Sequence, residues 1–185
     1  MLKDKFYVFL LCVCFAHTLC AQQPKGYLLW SNAKRLTVDD FSIKTKSAAS
    51  TPSFAQFTID YEVNGFSFLT KNFNKKVHNY FMPAASWIDT TADIAQNLRY
   101  QQTLFDLAEI YTRQFRKALR ENRKQFLKNV NIGADLNKQF ISAFAQRRVM
   151  YDEETNFGTN EAKQAAWRSQ IEKELTELAD FAYDK

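Results

Sequence analysis

Apolar and polar side chains alternate through residues 57 to 70. Phe57, Ile59, Tyr61 and Val63 are interleaved with Thr58, Asp60 and Glu62. A period of two puts one face of a strand on a core and leaves the other face wet. Asn64-Gly65 interrupts the run, and Phe66, Phe68 and Thr70 resume it. Both turn residues tolerate positive φ, so the pattern predicts a β-hairpin. Val77 to Met82 reads as a further strand, which Pro83 ends. Upstream, Tyr27-Leu28-Leu29-Trp30 is a short apolar run suited to a first strand. Leu36 to Phe41 follows it, and Lys44 to Ser53 reads as a polar loop.

The period then changes. From Thr91 to Lys128, apolar or buried-type positions such as Ile94, Leu98, Phe105, Ala108, Tyr111, Phe115, Leu119 and Phe126 recur near helical spacing. An unbroken helix of that length spans roughly 50–55 Å. A second helix is expected from Ala134 to Met150, and a polar loop containing Gly158 from Asp152 to Asn160. A third helix is expected from Glu161 to Tyr183, with Trp167, Ile171, Leu175, Leu178 and Ala182 on one face and Asn160 or Thr159 as its cap. There is no internal repeat. Strands followed by helices predict an α+β fold, a small antiparallel sheet packed against three helices.

The first residues change the picture. Lys3 and Lys5 precede an apolar run from Phe6 to Ala16, and Ala21 stands before polar Gln22. This is the pattern of a cleavable secretory signal, too short for a permanent membrane anchor. We expect residues 1–21 to be removed and residues 22–185 to form a single domain, periplasmic or secreted. Acylation at Cys20 is the alternative, but His17, Thr18 and Leu19 are poor neighbours for it. All three cysteines, Cys12, Cys14 and Cys20, lie before the cleavage point, as does His17. The mature chain then has no disulfide, and His78 is its only histidine. Hydrophobic residues make up 46% of the 185, enough for a core to hold such a domain together.

That inventory excludes ordinary chemistry. Catalytic zinc usually takes three protein ligands, most often histidine. No cysteine nucleophile is left, and a Ser-His-Asp triad would need His78, placed on a strand opposite the face of Val77 and Phe81. Phosphate-cradling glycine loops are absent. The formal charge of +5 permits an acidic partner without requiring one, and no nucleic acid is expected. Arg113, Arg116, Lys117, Arg120, Arg123, Lys124 and Lys128 form a basic stripe on the long helix. It suits an anionic surface, or simply a solvated face.

Four segments in order carry a family likeness. They are Arg35-Leu36-Thr37-Val38-Asp39-Asp40-Phe41; Ser86-Trp87-Ile88; the helix from Leu98 to Lys117; and Tyr151 to Gly158, with Gln164 and Trp167 beyond. Together they resemble the bacterial domain of unknown function family 922, a group predicted to be secreted zinc-dependent proteases. The resemblance implies a zinc-peptidase-like fold with a His-Glu-Gln-x-His helix and a further histidine downstream. In this chain the two helical histidines fall on Tyr100 and Leu104, the general-base glutamate on Gln101, and the downstream histidine on Phe157. None of these offers the family's chemistry, while Gln102, Phe105, Asp106 and Glu109 persist. The resemblance therefore implies a degenerate member without metal or cofactor, in which Tyr100, Leu104 and Phe157 converge with Gln101 beside them. Asp106 and Glu109 are remnant polar residues, best read as salt-bridge or capping groups. The expected function is binding an unknown protein or envelope component. The alternatives are a hydrolase with a non-standard site of Glu109, Asp106 and His78, and a surface binder using Arg113, Arg116, Lys117, Arg120 and Lys124.

Overall fold

The computed structural model describes residues 26–46, 51–61, 69–129 and 131–183. The expected signal segment, 1–21, lies outside them, as does the hairpin turn at Asn64-Gly65 with Phe66 and Phe68. Six strands and three α-helices are seen among the described residues: β1 (Leu28–Leu29), β2 (Ile43–Thr45), β3 (Ser53–Phe54), β4 (Phe57–Tyr61), β5 (Val77–Phe81), β6 (Trp87–Asp89), α1 (Ile94–Glu121), α2 (Ile132–Thr155) and α3 (Glu161–Glu177). The class is α+β, as expected.

The sheet arrangement corrects the expectation of one antiparallel sheet. There are two three-stranded sheets. The first, in order β1-β5-β4, is antiparallel and pairs Phe57 with Phe81 and Tyr61 with Val77. The second is mixed: β6 pairs with β2 in parallel and with β3 antiparallel. Strands β2 and β3 come from the ends of the stretch read as a polar loop. Two or three residues are too few to show an alternation, and Ile43 points its bulk largely at solvent.

Helix α1 is the axis of the molecule. Asp93 caps it by accepting from the Gln96 amide at 2.9 Å. It stops at Asn122, whose backbone N–H and side-chain amide both donate to the Ala118 carbonyl. The chain continues through a 3-10 turn, Arg123–Leu127. The helix is therefore about 42 Å long, shorter than the unbroken run predicted. Both sheets, α2 and α3 pack around it. That enclosure explains why its buried residues include Gln101, Glu109, Thr112 and Arg116 beside Leu104, Phe105 and Phe115. Phe105 stacks on Phe57 at 5.1 Å, and Phe115 meets Tyr61 edge-on at 5.5 Å. These contacts join α1 to the face of β4 that the alternation assigned to the core.

Helix α2 ends at Asn156, which begins a run of three left-handed residues with φ of 46°, 52° and 81° at Asn156, Phe157 and Gly158. The turn lets Asn160 start α3 by accepting from the Lys163 amide at 3.1 Å. No described helix is long and apolar enough to cross a membrane.

Candidate functional site

Tyr100, Gln101 and Leu104 share the inward side of α1, only 4%, 1% and 0% exposed. The Tyr100 phenol donates to Asp152 of α2 at 2.5 Å, and its ring stacks on Tyr151 at 5.3 Å with an interplanar angle of 11°. Burial, followed by the bond to Asp152, pushes the phenol well above its ordinary pKa. Asp152 is also raised, by burial, against the opposing effects of Tyr100 and Arg148. Gln101 donates to the Ser53 hydroxyl of β3 at 2.9 Å, while its Oε1 has no partner. Leu104 is sealed in the core.

The loop after α2 comes up against this face. The Phe157 carbonyl accepts from Gln96 Nε2 at 3.3 Å, and Gly158 lies directly on Tyr100. Positions 100 and 157 are thus brought to one region of the molecule. The convergence is of backbone more than of side chains, because Phe157 is 45% exposed and stands outside the core that holds Leu104. The residues present do not fit a zinc ion. A phenol that holds its proton and donates it to Asp152, an amide, an isobutyl group and a benzyl group offer none of the imidazole or thiolate donors zinc prefers.

Around this face runs a network that sequence reasoning missed. The Tyr151 hydroxyl donates to Gln164 Oε1 at 2.6 Å, and Gln164 Nε2 donates to Thr103 at 2.9 Å. Trp167 packs edge-on against Tyr151 and donates to Glu154. The signal lay in polar residues placed where helix periodicity calls for apolar ones.

Asp106 and Glu109 face different partners. Asp106 accepts from Trp30 Nε1 at 2.8 Å, from Arg35 at 2.8 Å and from Gln102 at 2.9 Å, while Gln102 accepts the Leu36 amide. This pair, one turn apart on α1, fastens the segment after β1 to the helix. Burial raises the Asp106 pKa and outweighs its three donors. Glu109 Oε1 accepts from Arg113 at 3.1 Å and from Arg116 at 2.8 Å. Arg116 also donates to the Val77 and Phe181 carbonyls, and Arg113 donates to the Leu175 carbonyl and lies over the Trp30 ring. His78 packs against the rings of Tyr80 and Tyr183. Asp106, Glu109 and His78 do not gather into a metal site, and no three His, Cys, Asp or Glu among the described residues do.

The basic stripe is corrected in part, and Arg123, Lys124 and Lys128 lie beyond the end of α1 at Glu121. Arg113 and Arg116 are buried and spent on Glu109 and on backbone carbonyls, whereas Lys117, Arg120 and Lys124 are exposed. Helical spacing identified a shared face but not the elements that cover part of it.

The opposite side of α1 borders a cleft of about 830 Å³, walled by α3 and by the segment after β1. Trp30, Arg35, Arg99, Thr103, Arg168 and Leu175 are among its lining residues; Tyr100, Gln101, Leu104 and Phe157 are not. A scan of family models and comparisons with curated proteins and with solved structures found no match.

Proposed function

We propose that this chain is an exported, non-catalytic binding protein built on a zinc-peptidase-like scaffold, a degenerate member of the family its sequence resembles. The observation that carries the reading is the state of Tyr100. At the position of the family's first metal ligand stands a buried phenol, hydrogen-bonded to Asp152 and stacked on Tyr151. Beside it, Gln101 is tied to Ser53 and Leu104 fills core. Buried polar groups persist when they are paired, and a histidine at position 104, sealed in the apolar core, would lack a partner without metal. The loop bearing Phe157 still reaches α1, as a third ligand of such a site requires. Gln101 holds no proton-accepting carboxylate, so the general-base role has no occupant.

Zinc content and hydrolysis test the proposal together. The exported protein, dialysed against buffer, should carry far less than one zinc per chain and leave casein and peptide mixtures uncut. About one retained zinc per chain with peptide cleavage overturns it. Intact mass on the same sample tests export: loss of residues 1–21 is expected, and an acylated Cys20 contradicts the soluble reading.

A further inference from the structure

The cleft on the far side of α1 has the dimensions and charge of a site for an extended chain. Helices α1 and α3 run in the same direction, since Gln164 reaches Thr103 while, further along both, Arg113 reaches the Leu175 carbonyl. The lining extends from Leu98 to Arg113 along α1, about 22 Å at 1.5 Å per residue. An extended peptide of about six residues covers that distance. Ala165, Ala179 and Ala182 among the lining residues leave room for incoming side chains, and Trp30 and Leu175 supply apolar floor.

The cations of the cleft are not equally spent. Arg35 is held by Asp106, and Arg113 by Glu109. Arg99 lies 3.9 Å from Glu161, a carboxylate 87% exposed to competing water. Arg168 forms no ion pair among the described residues. Glu172 is the other acidic residue on the lining beside Asp106. In the register set by Gln164 against Thr103 and Leu175 against Arg113, Arg168 stands level with Asp106, about two turns or ~10 Å beyond Arg99. The cleft therefore presents two exposed guanidinium groups spaced along facing helices, Arg99 met only by solvated Glu161 and Arg168 by no ion-pair partner among the described residues. Planar guanidinium forks match carboxylates in two-point hydrogen bonds.

We propose that the cleft between α1, α3 and the segment after β1 binds an extended acidic peptide segment of a partner protein, with Arg99 and Arg168 receiving its carboxylates. The proposal deepens the reading of the chain as a binding protein and rests on it. It names a different face of α1 from the degenerate metal positions.

The test is selection of a random peptide library, displayed on phage and ~8 residues long to overrun the cleft, against the mature chain. The expected result is enrichment of peptides rich in aspartate and glutamate. Synthetic copies should lose ~10-fold or more in affinity against Arg99→Glu/Arg168→Glu and weaken with salt. They should hold within about twofold against Lys117→Glu/Lys124→Glu, which reverses exposed charge elsewhere. Both substituted pairs are on the surface, and thermal melts check that each variant remains folded. No enrichment, enrichment without acidic residues, or equal loss in both variants overturns the proposal. So does binding to phosphatidylglycerol vesicles that Arg99→Glu/Arg168→Glu abolishes while peptide binding survives. Mass spectrometry of the bound peptides separates the two readings. Peptides bound at the cleft but cut would sink the non-catalytic reading and spare the site; zinc-free, inactive protein that selects no peptide would do the reverse.

Discussion

Gly158 is seated so closely on Tyr100 that a β-carbon added to it would fall 2.7 Å from the tyrosine Cβ and 2.9 Å from Cδ2. Its φ of 81° is also one that side chains of L-residues rarely adopt. Gly158→Ala should therefore cost about 2–4 kcal/mol, adding backbone strain to overpacking. Gly26, with φ of 92° but nothing within 4 Å of an added β-carbon, bears the strain alone. Gly26→Ala should cost about 1 kcal/mol. Urea melts of the two variants check the ordering, and equal losses would mean that the contact with Tyr100 is unimportant.

Arg116 and Lys124 belong to one run of basic residues and should behave oppositely. Arg116 is 0% exposed and shares Glu109 with Arg113. Arg116→Gln removes one cation from a buried cluster and frees the Val77 and Phe181 carbonyls, a loss of about 3–5 kcal/mol. Lys124→Gln, on an exposed turn, should stay within about 0.5 kcal/mol. Chemical denaturation of each variant decides, and a mild Arg116→Gln would return that residue to the exposed stripe.

The contrast shows what the sequence carried and what it did not. Helices α1 and α3 were legible because Leu98, Phe105 and Phe115 and then Trp167, Ile171 and Leu175 recur with helical period, and Asn160 is a strong cap. Helix α2 was placed, but its last turn, Asp152 to Thr155, lay in the stretch read as a polar loop. Strand β4 was legible from Phe57 and Ile59. Strand β6 was not, since three residues of Trp87–Asp89 hold no periodicity and its partners are distant in sequence. The cover over Arg116 comes from Val77 and Phe181, contacts that no local pattern encodes. Glu109, four residues before Arg113, was a local sign that the buried end of the stripe is neutralised, as Glu121, four residues after Lys117, was for its exposed end. The placement of Phe157 near Tyr100 required the left-handed turn at Asn156, visible in the sequence only as Gly158.

Glu174 supplies a pH dependence. It accepts two hydrogen bonds of 2.6 Å from Arg147, joining α3 to α2. Burial works to raise its pKa, but the bonds from Arg147 and Gln170 together outweigh it and leave the group lowered. An acid with a lowered folded pKa stabilises the fold above its unfolded pKa, and that stability is lost as pH falls through the folded value. Glu174→Gln should thus cost about 1–2 kcal/mol at neutral pH and little once the carboxylate is protonated in both states. Denaturant midpoints of both proteins should begin to draw together as pH falls below the unfolded glutamate value of about 4.3 and meet only below the lower folded value. A gap that stays constant across the acid range would remove Glu174 as the source.

Installing the donors of the family that the sequence resembles is the severest test of the proposed degenerate site. Tyr100 and Leu104 are four residues apart on one face of α1, the spacing at which two histidines can hold one metal. The loop at Phe157 is already fastened to Gln96, one turn before Tyr100. Tyr100→His, Gln101→Glu, Leu104→His and Phe157→His combined break the bond to Asp152 and place polar rings in core. Without metal the variant should be several kcal/mol less stable, since large-to-polar changes at a buried leucine cost at least the ~2–5 kcal/mol of truncation. Zinc should recover part of that, about 2.7 kcal/mol at a hundredfold excess over its dissociation constant. Leaving Phe157 in place should weaken the gain, because the third donor would be missing. Melting curves with zinc and with chelator read both effects, and each single substitution should show no zinc-dependent shift. If the fourfold variant is destabilised yet indifferent to zinc, positions 100, 104 and 157 do not frame a metal site and the family alignment of this helix is wrong.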